Sequence, residues 1–375
     1  MVGAESWSEV GERIAEARVA AGLSQGGLGE KVGVDRTAVV RMEAGDRRVT
    51  ALELMRLADV LGVPLAHLVS RPPSALVSRP PSALVSRRSA LEESADEASR
   101  ARYRLDATLE EHARRARWLV GNGFLRPPEP PSEPPRENGT VDPVALAAAA
   151  RAAIGVPGGP LGALADCVEG LGLYLTVVDE PAEGASLLCE GYGVAVISGQ
   201  AAPGRRRWTA AHELGHHLMQ DEYHSDAGVA AGRDAREQLI DAFVEEFLLP
   251  TADVREAWSP VAEGQDPRKT LIALSAVYRV SWSATVNRAR KLRLIDPQEA
   301  RRQKADTPVR GDFLAVLGRQ PVPDLEEGTT GRQWRRAVLA AWEAGGVTAP
   351  RAVDLLNGAL TEDELPSRDL GECLP

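Results

Sequence analysis

Trp208-Thr209-Ala210-Ala211-His212-Glu213-Leu214-Gly215-His216-His217-Leu218 is a helix-forming run that contains His-Glu-x-x-His. On a helix, His212 and His216 stand four residues apart, so both imidazoles leave one face and can converge on a single ion with Glu213 held beside it. The chain has six histidines, and shuffling its composition would produce this spacing in roughly one chain per hundred. The signature is that of a zinc hydrolase. Its bland alternative is a helix with incidental histidines.

Catalytic zinc is normally held by three protein groups, which leaves a position for water. The following segment, Arg236-Glu237-Gln238-Leu239-Ile240-Asp241-Ala242-Phe243-Val244-Glu245-Glu246-Phe247-Leu248-Leu249-Pro250, reads as an amphipathic helix. Ile240, Phe243, Val244, Phe247 and Leu248 form its stripe and Pro250 ends it. Glu237 and Asp241 share a face. Glu237 supplies a third ligand, and Asp241, one turn on, can accept the second ring N–H of a ligand histidine. His217 points about 100° away from its neighbour His216 and is a poor ligand. His224, in the loop Asp221–Asp226, either donates to a transition-state oxyanion or is solvated. Glu245 and Glu246 read as ordinary surface charges.

Together the two helices resemble the ImmA/IrrE family of metallopeptidases, whose mark is an HExxH helix followed by a helix of the form ExxA(N/D)xFAxxLLxP. Glu237 takes the glutamate position, Asp241 the Asn/Asp position, Phe243 the Phe position, and Leu248-Leu249-Pro250 close the motif. Ile240 and Val244 stand where the family has Ala. The resemblance spans residues 142 to 295. It implies one Zn2+ per chain on His212, His216 and Glu237, with Glu213 as the catalytic base, and cleavage of a protein substrate that is itself a helix-turn-helix repressor. Leu173–Val178 and Gly193–Ser198 are short runs rich in β-branched residues and read as strands. One of them either edges the substrate cleft or is plain structural sheet. Arg205-Arg206-Arg207 reads as a solvated basic loop.

A second signal lies in the first seventy residues. Gly22-Leu23-Ser24-Gln25, Leu28, Gly33-Val34-Asp35-Arg36-Thr37-Ala38-Val39-Val40-Arg41-Met42-Glu43 and Leu54, Leu57, Leu61 resemble the phage-repressor (XRE/Cro) helix-turn-helix domain. Ser24 caps the first motif helix, Gly33 permits the tight turn, and Val34 and Val40 are expected to bury the second helix. The resemblance places Gln25, Asp35, Arg36, Thr37 and Arg41 against double-stranded DNA, with Arg47 just beyond the recognition helix. Gly26, Gly27 and Gly29 replace helix formers, each costing up to about 1 kcal/mol. Ten acids against eight bases in residues 1–70 argue against a strongly basic DNA binder.

Ser70-Arg71-Pro72-Pro73-Ser74-Ala75-Leu76-Val77 recurs as residues 78–85, a tandem proline-rich spacer. Leu91, Ala98, Leu105, His112 and Leu119, seven apart, suit either a dimerising coil or a helix packed on its own chain. A second proline-rich run begins at Arg126, and the spacers are expected to let the peptidase stand clear of the duplex. Leu274, Val280, Ser281, Ser283, Ala284 and Val286 repeat the spacing of Leu28, Val34, Asp35, Thr37, Ala38 and Val40. That marks a second helix-turn-helix-like unit, either a structural lid or a DNA contact.

The expected chain is multidomain and mainly α. It runs as an all-α helix-turn-helix domain (1–69), a linker (70–88), a helix (89–125), a linker (126–141), an α+β zincin-like peptidase domain (142–254), the second unit (255–296) and a helical C-terminal region (297–375). A net charge of −10 argues against general polyanion binding, and no apolar run suits a membrane. With no signal peptide evident and three cysteines lacking metal-type spacing, the expected location is the cytoplasm, and a homodimer is one expected state. These features describe a zinc endopeptidase coupled to DNA binding in a stress or mobile-element response. The alternative is a transcriptional regulator whose metal domain senses or scaffolds without cutting.

Overall fold

Short polar caps and left-handed glycines mark the helices of the N-terminal unit. The computed structural model describes residues 6–70, 97–129, 136–137, 140–219, 230–259, 264 and 266–368, with seventeen α-helices and five strands among them. The first spacer beyond Ser70, most of the second proline run, His224 and Cys373 lie outside the described residues. Among the described residues no helix is long and apolar enough to cross a membrane. Helices α1 (Trp7–Ala20), α2 (Gln25–Val32), α3 (Arg36–Glu43), α4 (Ala51–Leu61) and α5 (Leu65–Val69) enclose one core around Ile14, Leu28, Met42 and Leu57.

Ser24 Oγ accepts the Gly27 amide at 3.0 Å and Asp35 accepts the Ala38 amide at 2.7 Å, so both motif helices start where the sequence caps them. Gly33 stops α2 at φ +82°. Gly29 looks costly in a helix, yet a Cβ there would stand 2.7 Å from the Val34 carbonyl oxygen. The turn can fold back this tightly only over a glycine. Because α3 begins at Arg36, its inward arc falls on Val39 and Met42; Val40 is 39% exposed. The expectation that Val40 buries this helix is therefore wrong by one residue.

Helix α6 (Glu97–Gly121) is used on two sides. Tyr103 and Ala107 complete the N-terminal core, while Leu105, Leu109, Ala113, Ala116 and Leu119 join the core beneath the central sheet. Its apolar stripe packs on its own chain, which fills the face a dimerising coil would have needed. It also docks the helix-turn-helix unit onto the peptidase unit. His67 of α5 anchors the joint, with Nδ1 2.9 Å from Glu110 Oε2 and Nε2 2.8 Å from the Tyr103 hydroxyl. The His67 pairing holds the Glu110 carboxyl below the usual carboxylate range despite its burial.

The strands β1 (Arg136–Glu137) and β2 (Thr140–Val141) form a two-residue antiparallel ladder, followed by α7 (Pro143–Ala153) and α8 (Leu164–Glu169). The central sheet has β3 (Leu173–Val178), β4 (Gly184–Cys189) and β5 (Tyr192–Ser198) in the order β3-β5-β4. β3 runs parallel to β5, with Leu173 opposite Gly193, and β4 runs antiparallel to it, with Gly184 opposite Ile197. The two strands expected from the sequence are β3 and β5; β4 is the one that escaped. One face of the sheet carries α9 (Pro203–Leu218) and α10 (Ala230–Leu248), with α7 and α11 (Thr251–Ala257) around them.

Next come α12 (Pro267–Val277), α13 (Trp282–Lys291), α14 (Pro297–Ala305) and α15 (Arg310–Leu317). The α12–α13 pair is the second helix-turn-helix-like unit, but two positions of its would-be reading face are covered. Trp282 and Val286 are buried in one cluster with Ala300 of α14, and Trp282 Nε1 donates to the Gln303 carbonyl at 2.6 Å. Arg288 of α13 donates to the Leu249 carbonyl at 3.1 Å and pairs with Glu246, while Lys291 pairs with Glu245. Glu245 and Glu246 are therefore shielded ties to the next unit, not the solvated charges expected.

The C-terminal helices α16 (Arg332–Glu343) and α17 (Ala349–Leu355) close the second face of the sheet together with α6. Buried His112 of α6 packs in a tilted arrangement against Trp334, ring centroids 4.6 Å apart, and donates to the Tyr174 carbonyl at 3.1 Å, joining all three layers. Burial, aided by the charge of Arg115, pushes the His112 pKa down to about 3. His112 binds a proton more readily unfolded than folded, so its contribution is present above the ordinary value of 6.5 and is lost on acidification toward 3. Buried Glu169, which caps Trp334 and is raised by burial to about 7, has the opposite sign and loses stability as pH rises. The difference between a His112→Gln variant and its parent isolates the histidine: unfolding followed at pH 7.5 and pH 5 should show a pH penalty smaller in the variant by about 2 kcal/mol.

Candidate metal centre and nucleic-acid interface

α9 and α10 cross at Gly215. A Cβ at that position would stand 2.9 Å from Ile240 Cγ2 and 3.3 Å from Phe243 Cδ1, so a side chain there would drive the helices apart. Ile240, Phe243, Val244 and Phe247 are all buried, which turns Glu237 and Asp241 toward α9. The larger Ile240 does not disturb the crossing; it fills the space that Gly215 leaves.

The crossing brings three donors to one point. His212 Nε2 and His216 Nε2 are 3.2 Å apart, Glu237 Oε2 is 3.3 Å from His212 Nε2, and Glu237 Oε1 is 4.0 Å from His216 Nε2. The three ligand atoms lie within 4.8 Å of one another. Donors about 2.0–2.2 Å from one tetrahedral ion would be spaced roughly 3.3–3.6 Å apart, so the set fits a small metal ion. Burial opposes a positive charge on His212, but Asp241, Glu213 and Glu237 outweigh it and raise its pKa. The surroundings favour a cation. Asp241 Oδ1 is 3.8 Å from His212 Nδ1, on the expected side but longer than a direct hydrogen bond.

Glu213 is buried on α9 and accepts a 2.5 Å hydrogen bond from Ser186 Oγ of β4. Nothing in the sequence singled out Ser186. Gly184 brings its strand close enough, since a Cβ there would lie 2.6 Å from Thr209 Cγ2 of α9. Among the described residues β4 pairs only with β5 and so presents an edge beside Glu213. The far edge of the sheet is closed, because the Val177 amide donates to the Thr329 carbonyl and the Gly328 amide donates to the Val177 carbonyl. His217 faces the other way and donates from Nε2 to the Leu171 carbonyl at 3.1 Å, as expected of a non-ligand. The Arg205–Arg207 run is helical, not loop. Arg205 is exposed beside Glu183, but Arg206 donates to the Leu325 carbonyl and fully buried Arg207 pairs with Asp324.

On the N-terminal unit the residues expected to face DNA divide into two groups. Arg36, Thr37 and Arg41 are exposed on the outer side of α3. The others are engaged within the chain: the Gln25 side-chain amide donates to Glu43 at 2.9 Å, Asp35 caps α3, and Arg47 pairs with Glu53 at 2.7 Å.

Residues 177–290 match the family model described as the IrrE N-terminal-like domain, a peptidase family, and residues 14–68 match the helix-turn-helix model. No curated protein matches the chain. The first match covers α9 and α10 with both converging motifs, and the second runs from the second half of α1 to Leu68. This chain joins an XRE-type helix-turn-helix domain to a domain of the IrrE N-terminal-like metallopeptidase kind.

Proposed function

We propose that the chain is a zinc-dependent endopeptidase that cuts a regulatory protein, a helix-turn-helix repressor by the family resemblance, and that residues 1–69 bind double-stranded DNA. The observation that carries the reading is the meeting of His212, His216 and Glu237 at one point beside Glu213 and an open strand edge. Two imidazoles and a carboxylate are a donor set suited to zinc. Bound there, zinc would acidify a water and polarise the scissile carbonyl.

The chain's own groups supply the remainder. β4 aligns an extended peptide by main-chain hydrogen bonds, which orients one peptide bond across α9. The Glu213 carboxylate takes the proton of the attacking water and passes it to the leaving amine. Its 2.5 Å bond from Ser186 holds it in one rotamer for that transfer. A small side-chain rotation would bring Asp241 from 3.8 Å onto the Nδ1–H of His212 and fix its tautomer. On α3, Arg36 and Arg41 neutralise phosphates, and pairing of two chains provides the paired half-sites that such domains read. That pairing uses a surface other than the apolar stripe of α6, which is already filled.

Full-length protein incubated with helix-turn-helix repressors encoded near its own gene should yield metal-dependent fragments. If it yields none while DNA binding still responds to the metal, the domain is a sensor or scaffold. Glu213→Gln should retain about one metal per chain by elemental analysis and lose cleavage. His216→Ala should lose the metal as well.

Gly215→Val should force α10 away from α9 and weaken metal binding at least ten-fold in a competition titration, while the N-terminal unit still binds DNA. Arg41→Ala should weaken DNA binding and flatten the slope of log affinity against log salt by about one unit, read by fluorescence anisotropy.

A further inference from the structure

The outward face of α3 has an apolar centre. Taking 100° per residue, Arg36, Val40, Ala44, Thr37 and Arg41 fall in that order across about 140° of arc, with the buried Val39 and Met42 on the opposite side. Val40 lies between the two arginines and is 39% exposed. A β-branched residue is neither a strong helix former nor a solubilising one, so nothing in the fold of α3 calls for it there. Arg36, Thr37 and Arg41 on this face can hydrogen-bond to phosphates and base edges; Val40 offers only methyl groups.

Within the major groove one base edge is recognised by apolar contact, that of thymine through its C5 methyl. We infer that Val40 is a specificity-determining residue that packs on a thymine methyl in each half-site, while Arg36 and Arg41 on either side fix the register of the helix. The inference rests on the DNA-binding reading of residues 1–69 and goes beyond it by naming the base and the atom read. Arg36 and Arg41 are free to take that role, since neither forms an ion pair among the described residues.

Selection of a random duplex library on the full-length protein gives the probe, and replacing each thymine of the selected site in turn by deoxyuridine deletes a single methyl and nothing else. One position per half-site should lose affinity about three- to five-fold, the worth of one buried methyl. Val40→Ala should bind the thymine site several-fold more weakly and should bind the thymine and deoxyuridine sites equally. Val40→Thr, which keeps one methyl, should retain part of the discrimination. If no deoxyuridine substitution matters, or if Val40→Ala discriminates as its parent does, the inference is overturned while DNA binding stands. If the selection enriches no sequence and no salt-sensitive binding occurs, the DNA-binding reading itself fails.

Discussion

The candidate metal site depends on how closely two helices can approach at one missing side chain. His212 and His216 are placed by helix geometry alone, but Glu237 reaches them only because Ile240 and Phe243 rest on Gly215. The packing free energy of α10 thus orients its carboxylate, and a buried apolar stripe sets a polar site on the opposite edge of the same helix. Interiors resist small changes of volume, which makes this support stiff: the donors are held by the core and not by one another.

A second constraint gives the molecule its layout. α6 lies against the N-terminal core on one side and the sheet on another, and polar contacts fix its orientation on both. His67 and Glu110 hold it to the first, and His112 together with an Arg104–Glu180 pair at 2.9 Å holds it to the second. Through Arg102, which donates to the Gly184 carbonyl at 3.1 Å, the same helix touches the start of the strand that carries Ser186. One rigid element therefore spans from the DNA-facing unit to the strand beside Glu213.

Much of the metal centre was legible because its information is local. Spacing of i and i+4 places two histidines, and a stripe of five apolar residues places Glu237 and Asp241. Ser186 was not legible: Gly184 and Ala185 begin the strand with residues that strands disfavour, and its conformation comes from pairing with β5 and from α9. The fate of α6 was hidden for a different reason, since a seven-residue spacing looks the same whether the partner is another chain or the chain's own sheet. Arg206 and Arg207 looked solvated because the Leu325 carbonyl and the Asp324 carboxylate that receive them lie more than a hundred residues away in sequence. The error at Val40 came from a helix boundary, where one residue turns a side chain by about 100°.

The two edges of the central sheet differ in a way that matters for more than one guest. An edge strand is a template, and a sheet with both edges bare can be extended without limit by strands added on either side. Here segment 328–330 occupies the outer side of β3, while β4 is left open. A strand that adds to β4 meets a sheet already capped at its other end, so stacking copies of this domain edge to edge would stop at a pair. Among the described residues the central sheet thus offers one open edge, and copies joined through it would not grow into a ribbon.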